Sequence, residues 1–166
     1  MSTLLLPCDG SPDALLAVRH VIDAVRRGDV QQVHLVNVQP PLPAHAARHL
    51  ARHVREDFHR ERAEAELAEA RTLLDSAGVR YQLHCHVGSR AQRTAELARQ
   101  LSCDRIVLAR ASGSWLARVL ANAWTAQLLA HSTVSVEVVN ARPPNALERF
   151  GIPTGIGAGL TLLWVT

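Results

Sequence analysis

Four small groups of residues in this chain have types and spacings that suit chemistry. His45, His49 and His53 recur every four residues. On one continuous helix such histidines stack along one side, and two of them can chelate Zn²⁺ or Ni²⁺. No cysteine or carboxylate completes the set, so an exposed Ala/Arg/His surface is the plainer reading and no metal is expected. His84 and His86 alternate along "VRYQLHCHV", opposite Leu83, Cys85 and Val87, on a face where a helix is expected to cover them. Cys8, Cys85 and Cys103 form no CxxC pair and lie in or beside expected strands. They read as small buried hydrophobes of a reducing cytoplasm. Finally, Arg110, Ser112, Gly113 and Ser114 lie where an apolar strand gives way to a helix. Free N–H groups there attract anions, phosphate included, although either serine can equally cap the helix. There is no GxSxG elbow and no HExxH, and no catalytic residue is assigned.

The elements that must position these groups alternate. "TLLLPCDGSP" is a short strand and a turn, with Ser11 as N-cap, Pro12 at the first helical position and Asp13 in the first turn. Apolar residues at helical spacing carry that helix to about Arg27. "QVHLVNV" is the second strand. The stretch from about Ala44 to Ala77 has a helical pattern, is long for one helix, and is expected to break near Asp57; Gly78 is its natural stop. A third strand follows at "VRYQLHCHV". Ser89 is expected to cap a helix running to about Leu101, and "DRIVLAR" is the fourth strand. A helix from about Ser114 to Ala130 and the strand "TVSVEVV" complete the series. This alternation predicts an α/β fold, a five-stranded parallel open sheet with helices on both faces, doubly wound and Rossmann-like. Such sheets bind ligands beyond the carboxyl ends of their strands, where strand order reverses. If the first and fourth strands are neighbours there, residues 7–11 and 109–114 line the crevice. Trp115 and Trp124, nine apart on the fourth helix, are expected as core or interface anchors.

Composition narrows the partners. All 18 basic residues are Arg, the formal charge is only +3, and the arginines alternate with acids instead of forming a block. A nucleic-acid role is therefore not expected. Nearly half the chain is hydrophobic and only 4% is aromatic, so Ala, Leu and Val must pack the core. The opening "MSTLLLPCDG" has too short an apolar run for a signal peptide, and a cytoplasmic location is expected.

At this point "LLLPCDGSP", "VHLVNVQPPL" and "AGVRYQLHCHVGSRAQRTAELARQLSCDRIVLAR" resemble, in order and spacing, the universal stress protein family. The resemblance implies a five-stranded parallel sheet over residues 1–140, commonly dimerising through its last strand. Nucleotide-binding members carry G-x2-G-x9-G-[ST] after the fourth strand. Here those positions hold Ala109, Ser112, Asn122 and Ala123, so every specified position departs from the pattern. A Cβ at such glycines can cost on the order of 1 kcal/mol in strain and blocks close approach to phosphate. The chain thus resembles the members that do not bind ATP, and no cofactor is expected. The alternative is a weak ATP or AMP sensor, with slow hydrolysis left open. In it Asp9 matches the family's acid near the adenine, Val38 matches its hydrophobic contact, and Arg110, Ser112, Gly113 and Ser114 face the phosphates.

The resemblance further implies a homodimer with Val136, Val138 and Val139 at or beside the contact, since "VSVEVV" makes a β-branched edge. Protein partners remain unidentified. Residues 141–166 read as a linker and an apolar tail. From Phe150 onward the tail is uncharged, short for a membrane span and interrupted by Pro153 and glycines. It is expected to pack on its own domain or a neighbour's, not to enter a membrane.

Overall fold

The structure is a computed structural model that describes residues 2–109 and 115–139, with side chains of the last helix described from residue 123. Ten elements follow one another: β1 (Ser2–Pro7), α1 (Pro12–Arg26), β2 (Val30–Gln39), α2 (Ala44–His49), α3 (Arg52–Ser76), β3 (Tyr81–Val87), α4 (Arg90–Gln100), β4 (Arg105–Ala109), α5 (Trp115–His131) and β5 (Ser135–Val139). The five strands form one sheet in the order β3-β2-β1-β4-β5, and every pairing is parallel. The chain winds outward from β1 to β3, then returns to add β4 on the other side of β1. The switch point therefore lies between β1 and β4, as the expected crevice requires.

Strand alternation builds two cores. Leu4 and Leu6 of β1, Val33 and Leu35 of β2, and Val107 of β4 face α1 and α3, meeting Val18, Val21, Leu67 and Leu74. Leu5, Val36, Val38, Ile106 and Leu108 face the other way, against Ala91, Ala95 and Ala98 of α4 and Leu128 of α5. Each fully buried leucine removes enough apolar surface from water to contribute about 1.5–3 kcal/mol. Small alanines on α4 let that helix sit close to the sheet, which explains how a chain poor in aromatics fills its interior.

Helix ends follow local chemistry. Ser11 accepts a hydrogen bond from the Ala14 amide at 3.2 Å, with Pro12 at the helix start. Three helices end in the same paired-hydrogen-bond motif with one left-handed residue: Gly28 after α1, Gly78 after α3 and Ser102 after α4. Ser89 holds the N-cap position of α4, but its side chain makes no capping bond, contrary to expectation.

The long helical stretch breaks at Leu50 and Ala51, not near Asp57. Both residues are extended (ψ 130° and 153°). Asp57 lies inside α3, where an ion pair to Arg60 at 2.6 Å supports the helix. No glycine or proline marks the actual break. Cys85 is another correction: Cys8 and Cys103 are buried, but Cys85 is exposed. Strand β3 is an edge of the sheet, and its α3-facing side is only partly covered, so Leu83 and Val87 are also exposed. Among the described residues no helix is long and apolar enough to cross a membrane.

Candidate functional site

The crevice at the switch point is built around the turn after β1. Gly10 (φ +76°) lies so close to α3 that an added Cβ would stand 2.9 Å from the Glu66 carbonyl oxygen. Only glycine fits both the left-handed backbone and that approach. The turn presents Asp9. One of its carboxylate oxygens accepts the Ser11 amide at 3.1 Å, and the other pairs with the Arg90 guanidinium at 2.8 Å. Arg90, the first residue of α4, also stacks over the indole of Trp124 on α5, 5.3 Å from the ring centroid. Burial opposes ionisation of Asp9, but hydrogen bonds from Ser11 and the charge of Arg90 outweigh it and hold the carboxyl below its ordinary range.

This arrangement changes what the crevice can do. Each carboxylate oxygen thus already accepts one hydrogen bond, so a ligand base must share Asp9 with Arg90 and Ser11. Val38 is buried among the residues beneath α4, so little of it is open to a ligand. Ala109 ends β4 half-buried against the α1 side, and Ala123 is exposed on α5. Arg110, Ser112, Gly113 and Ser114, together with the Asn122 side chain, lie outside the described residues.

Beside the turn lies a polar network that sequence reasoning did not single out. The Asn37 amide donates to the Cys8 carbonyl (2.9 Å) and to Glu66 (2.8 Å). Gln39 donates to the Asn37 side-chain oxygen (3.1 Å) and to the His59 carbonyl (3.0 Å). His59 Nδ1 lies 2.7 Å from Gln39 Oε1, which makes it the donor to that oxygen. Asn37 and Gln39 are buried, and every amide hydrogen of theirs is used. The network bolts the end of β2 to α3. Its only sequence signal is two carboxamides in an otherwise apolar strand end.

The remaining candidates separate. His45 and His49 lie on α2 while His53 lies on α3, so the break at residues 50 and 51 prevents them from stacking on one helix face. Among the described residues no cluster of three His, Cys, Asp or Glu side chains is placed to hold a metal ion. His84 turns to β2 instead: its Nε2 lies 3.0 Å from Nδ1 of the buried His34. Burial, then the charge of the neighbouring histidine, lowers the pKa of both rings. Burial raises all three cysteine thiols, Cys103 to about 11. On the edge strand β5, Val138 is exposed, while Val136 and Val139 each pack partly into a core.

Residues 1–140 match the model of the universal stress protein family, and the chain belongs to that family. No curated protein sequence matches it. Among solved structures it is similar to the hypothetical protein MJ0577 (TM-score 0.67, 19% identity, 85% of this chain and 96% of that one). It is also similar to a universal stress protein in complex with cAMP (TM-score 0.60, 21% identity, 84% and 96%). A third is a universal stress protein family protein from Arabidopsis thaliana with AMP bound (TM-score 0.58, 13% identity, 87% and 97%). At these identities the likeness shows the shared fold.

Proposed function

We propose that this universal stress protein is a cytoplasmic regulatory or binding module that docks to protein partners and performs no turnover, without ATP binding of the family's glycine-loop kind. The observation that carries the reading is the pairing of Asp9 with Arg90, which in turn stacks on Trp124. The acid that would face an adenine is already engaged by a guanidinium of the same chain. The departures at Ala109, Ser112, Asn122 and Ala123 act in the same direction, because each puts a side chain where the phosphate pattern has glycine, or removes its hydroxyl. The module acts as a homodimer through β5, an edge strand of the sheet among the described residues.

A second reading is favoured by two similar structures, one holding cAMP and the other AMP. In it the Asp9–Arg90 pair opens and the crevice accepts an adenine nucleotide weakly. Native mass spectrometry of the purified protein separates the readings. The first expects a dimer of twice the chain mass with no retained nucleotide. A stoichiometric adenine nucleotide that survives desalting would select the second.

A further inference from the structure

Strand β3 is an edge strand of the sheet among the described residues, and its sequence leaves that edge unguarded. Tyr81–Val87 contains no Lys, Arg, Asp or Glu and no proline. Its register with β2 runs from Tyr81 to Val87 without a bulge. Charges, prolines and bulges are what keep a strand edge from pairing with another chain, and β3 has none of them. Side-chain space lies along the same edge. On the α3 side a concavity of ≈ 390 Å³ is lined by Ala63 and Leu67 of α3 and by Leu83, Cys85 and Val87 of β3. All three of those β3 residues are exposed. A more open concavity, of ≈ 680 Å³, lies where β3 begins and is lined in part by Arg80, Tyr81 and Gln82.

We infer, on the reading that this chain docks protein partners, that β3 is the docking edge. Its occupant is an extended segment of a partner protein, added antiparallel to β3, with apolar side chains at alternate positions and an acidic C-terminal end. Main-chain hydrogen bonds to the edge supply affinity in such a complex, and pockets for alternate side chains supply selectivity. Every second side chain of an added strand points to one face, so the apolar ones enter the groove over Leu83, Cys85 and Val87. Charge places the acid. At one end of the groove Glu56 and Arg60 are already paired, with Arg52 and Asp57. At the other end Arg71 lies against the Tyr81 side chain, and Arg80 precedes that residue. Both arginines are exposed, and neither forms a salt bridge among the described residues. A carboxylate there meets two guanidiniums, whereas Glu64, midway along the groove, repels an acid at the centre of the segment. Antiparallel pairing, the more stable kind per residue, brings the C-terminal end of the segment to the start of β3. The proposed dimer uses β5, at the opposite side of the sheet, and leaves β3 accessible.

The probe is a fluorescein-labelled, C-terminally amidated peptide of three threonine-valine repeats followed by two aspartates. Fluorescence anisotropy with the full chain should show saturable binding, weakened about tenfold or more when lysines replace the aspartates, and equally by Arg80→Glu. Arg80 is exposed and outside every helix and strand, so that change leaves the fold intact. Bound peptide should slow hydrogen exchange of the Tyr81–Val87 amides and iodoacetamide labelling of Cys85, the exposed thiol of the groove. Absence of saturable binding, or equal binding of the aspartate and lysine peptides, overturns the inference. Protection that appears at β5 instead of β3 overturns it as well. So does Cys85 labelling as slow, without peptide, as that of the buried Cys8 and Cys103, because the edge is then covered by the chain itself or by a second copy. Each of these results removes β3 as the docking edge, whereas a nucleotide retained in native mass spectrometry removes the docking reading itself.

Discussion

Arg90 ties the turn after β1 to α4 and α5, pairing with Asp9 at 2.8 Å and stacking over Trp124. It was legible only as one of 18 scattered arginines. Its partner Asp9 is 81 positions away, and nothing in periodicity joins residues so distant. Both side chains are substantially exposed, so the pair contributes at most about 1 kcal/mol after screening. Arg90→Ala should therefore lower stability by about 1 kcal/mol or less at neutral pH. The difference should shrink in acid: the carboxyl's folded pKa is depressed, so the benefit exists above the unfolded value and is lost as pH falls through the folded one. Chemical denaturation of the two proteins at neutral and acid pH measures this. A larger cost that persists in acid would make Arg90 a packing residue instead. The His34–His84 pair gives a prediction of the same sign in a higher pH window. Both pKa values are lowered, so the unfolded chain binds more protons. Stability is full above the unfolded value of about 6.5 and falls as pH drops below it. His84→Gln should flatten that slope in urea unfolding followed from about pH 7.5 to 5.5; an unchanged slope would place the titration elsewhere.

Among the elements, the helices and strands were legible where local chemistry speaks. Ser11 and Pro12 start α1, and Gly28 and Gly78 follow helix ends in left-handed backbone. The break at Leu50 and Ala51 was not legible, because Asp57 looks like a better interruption on propensity and neither residue at the break is a helix breaker. The exposure of Cys85 was hidden for another reason. A period of two separates the faces of β3 but does not reveal that β3 is an edge, which depends on strand order. Two substitutions test the turn chemistry. Ser102 holds a left-handed conformation (φ 51°) at a position where α1 and α3 are followed by glycine. Ser102→Gly should relieve strain and raise stability by up to about 1 kcal/mol in thermal or denaturant unfolding. Gly10→Ala should do the reverse and cost more than about 1 kcal/mol, since it combines a positive φ with a 2.9 Å clash against the α3 backbone. A neutral Gly10→Ala would mean that the turn shifts freely against α3.

Among the described residues the molecule is a family sheet with β3 and β5 as its edge strands. Its overall plan was readable from the alternation of elements, and the neighbouring of β1 and β4 placed the crevice as that plan required. The pairing of Asp9, in the turn after β1, with Arg90 of α4, itself stacked on Trp124 of α5, could not be read, because three separate elements assemble it. At the β5 edge, Val138 is the exposed member of the candidate trio. Val138→Asp should shift the protein toward monomer in sedimentation velocity. An unchanged dimer would move the interface elsewhere.

The central claim, a family member whose crevice does not take ATP, is tested most directly by calorimetric titration with ATP. Wild-type protein should give no saturable heat up to about 1 mM nucleotide. The variant with Ala109→Gly, Ser112→Gly, Asn122→Gly and Ala123→Ser should gain measurable binding, because each recovered charge-assisted hydrogen bond to phosphate contributes about 1.5–3 kcal/mol. Saturable binding of ATP by the wild type anywhere below about 1 mM would contradict the claim.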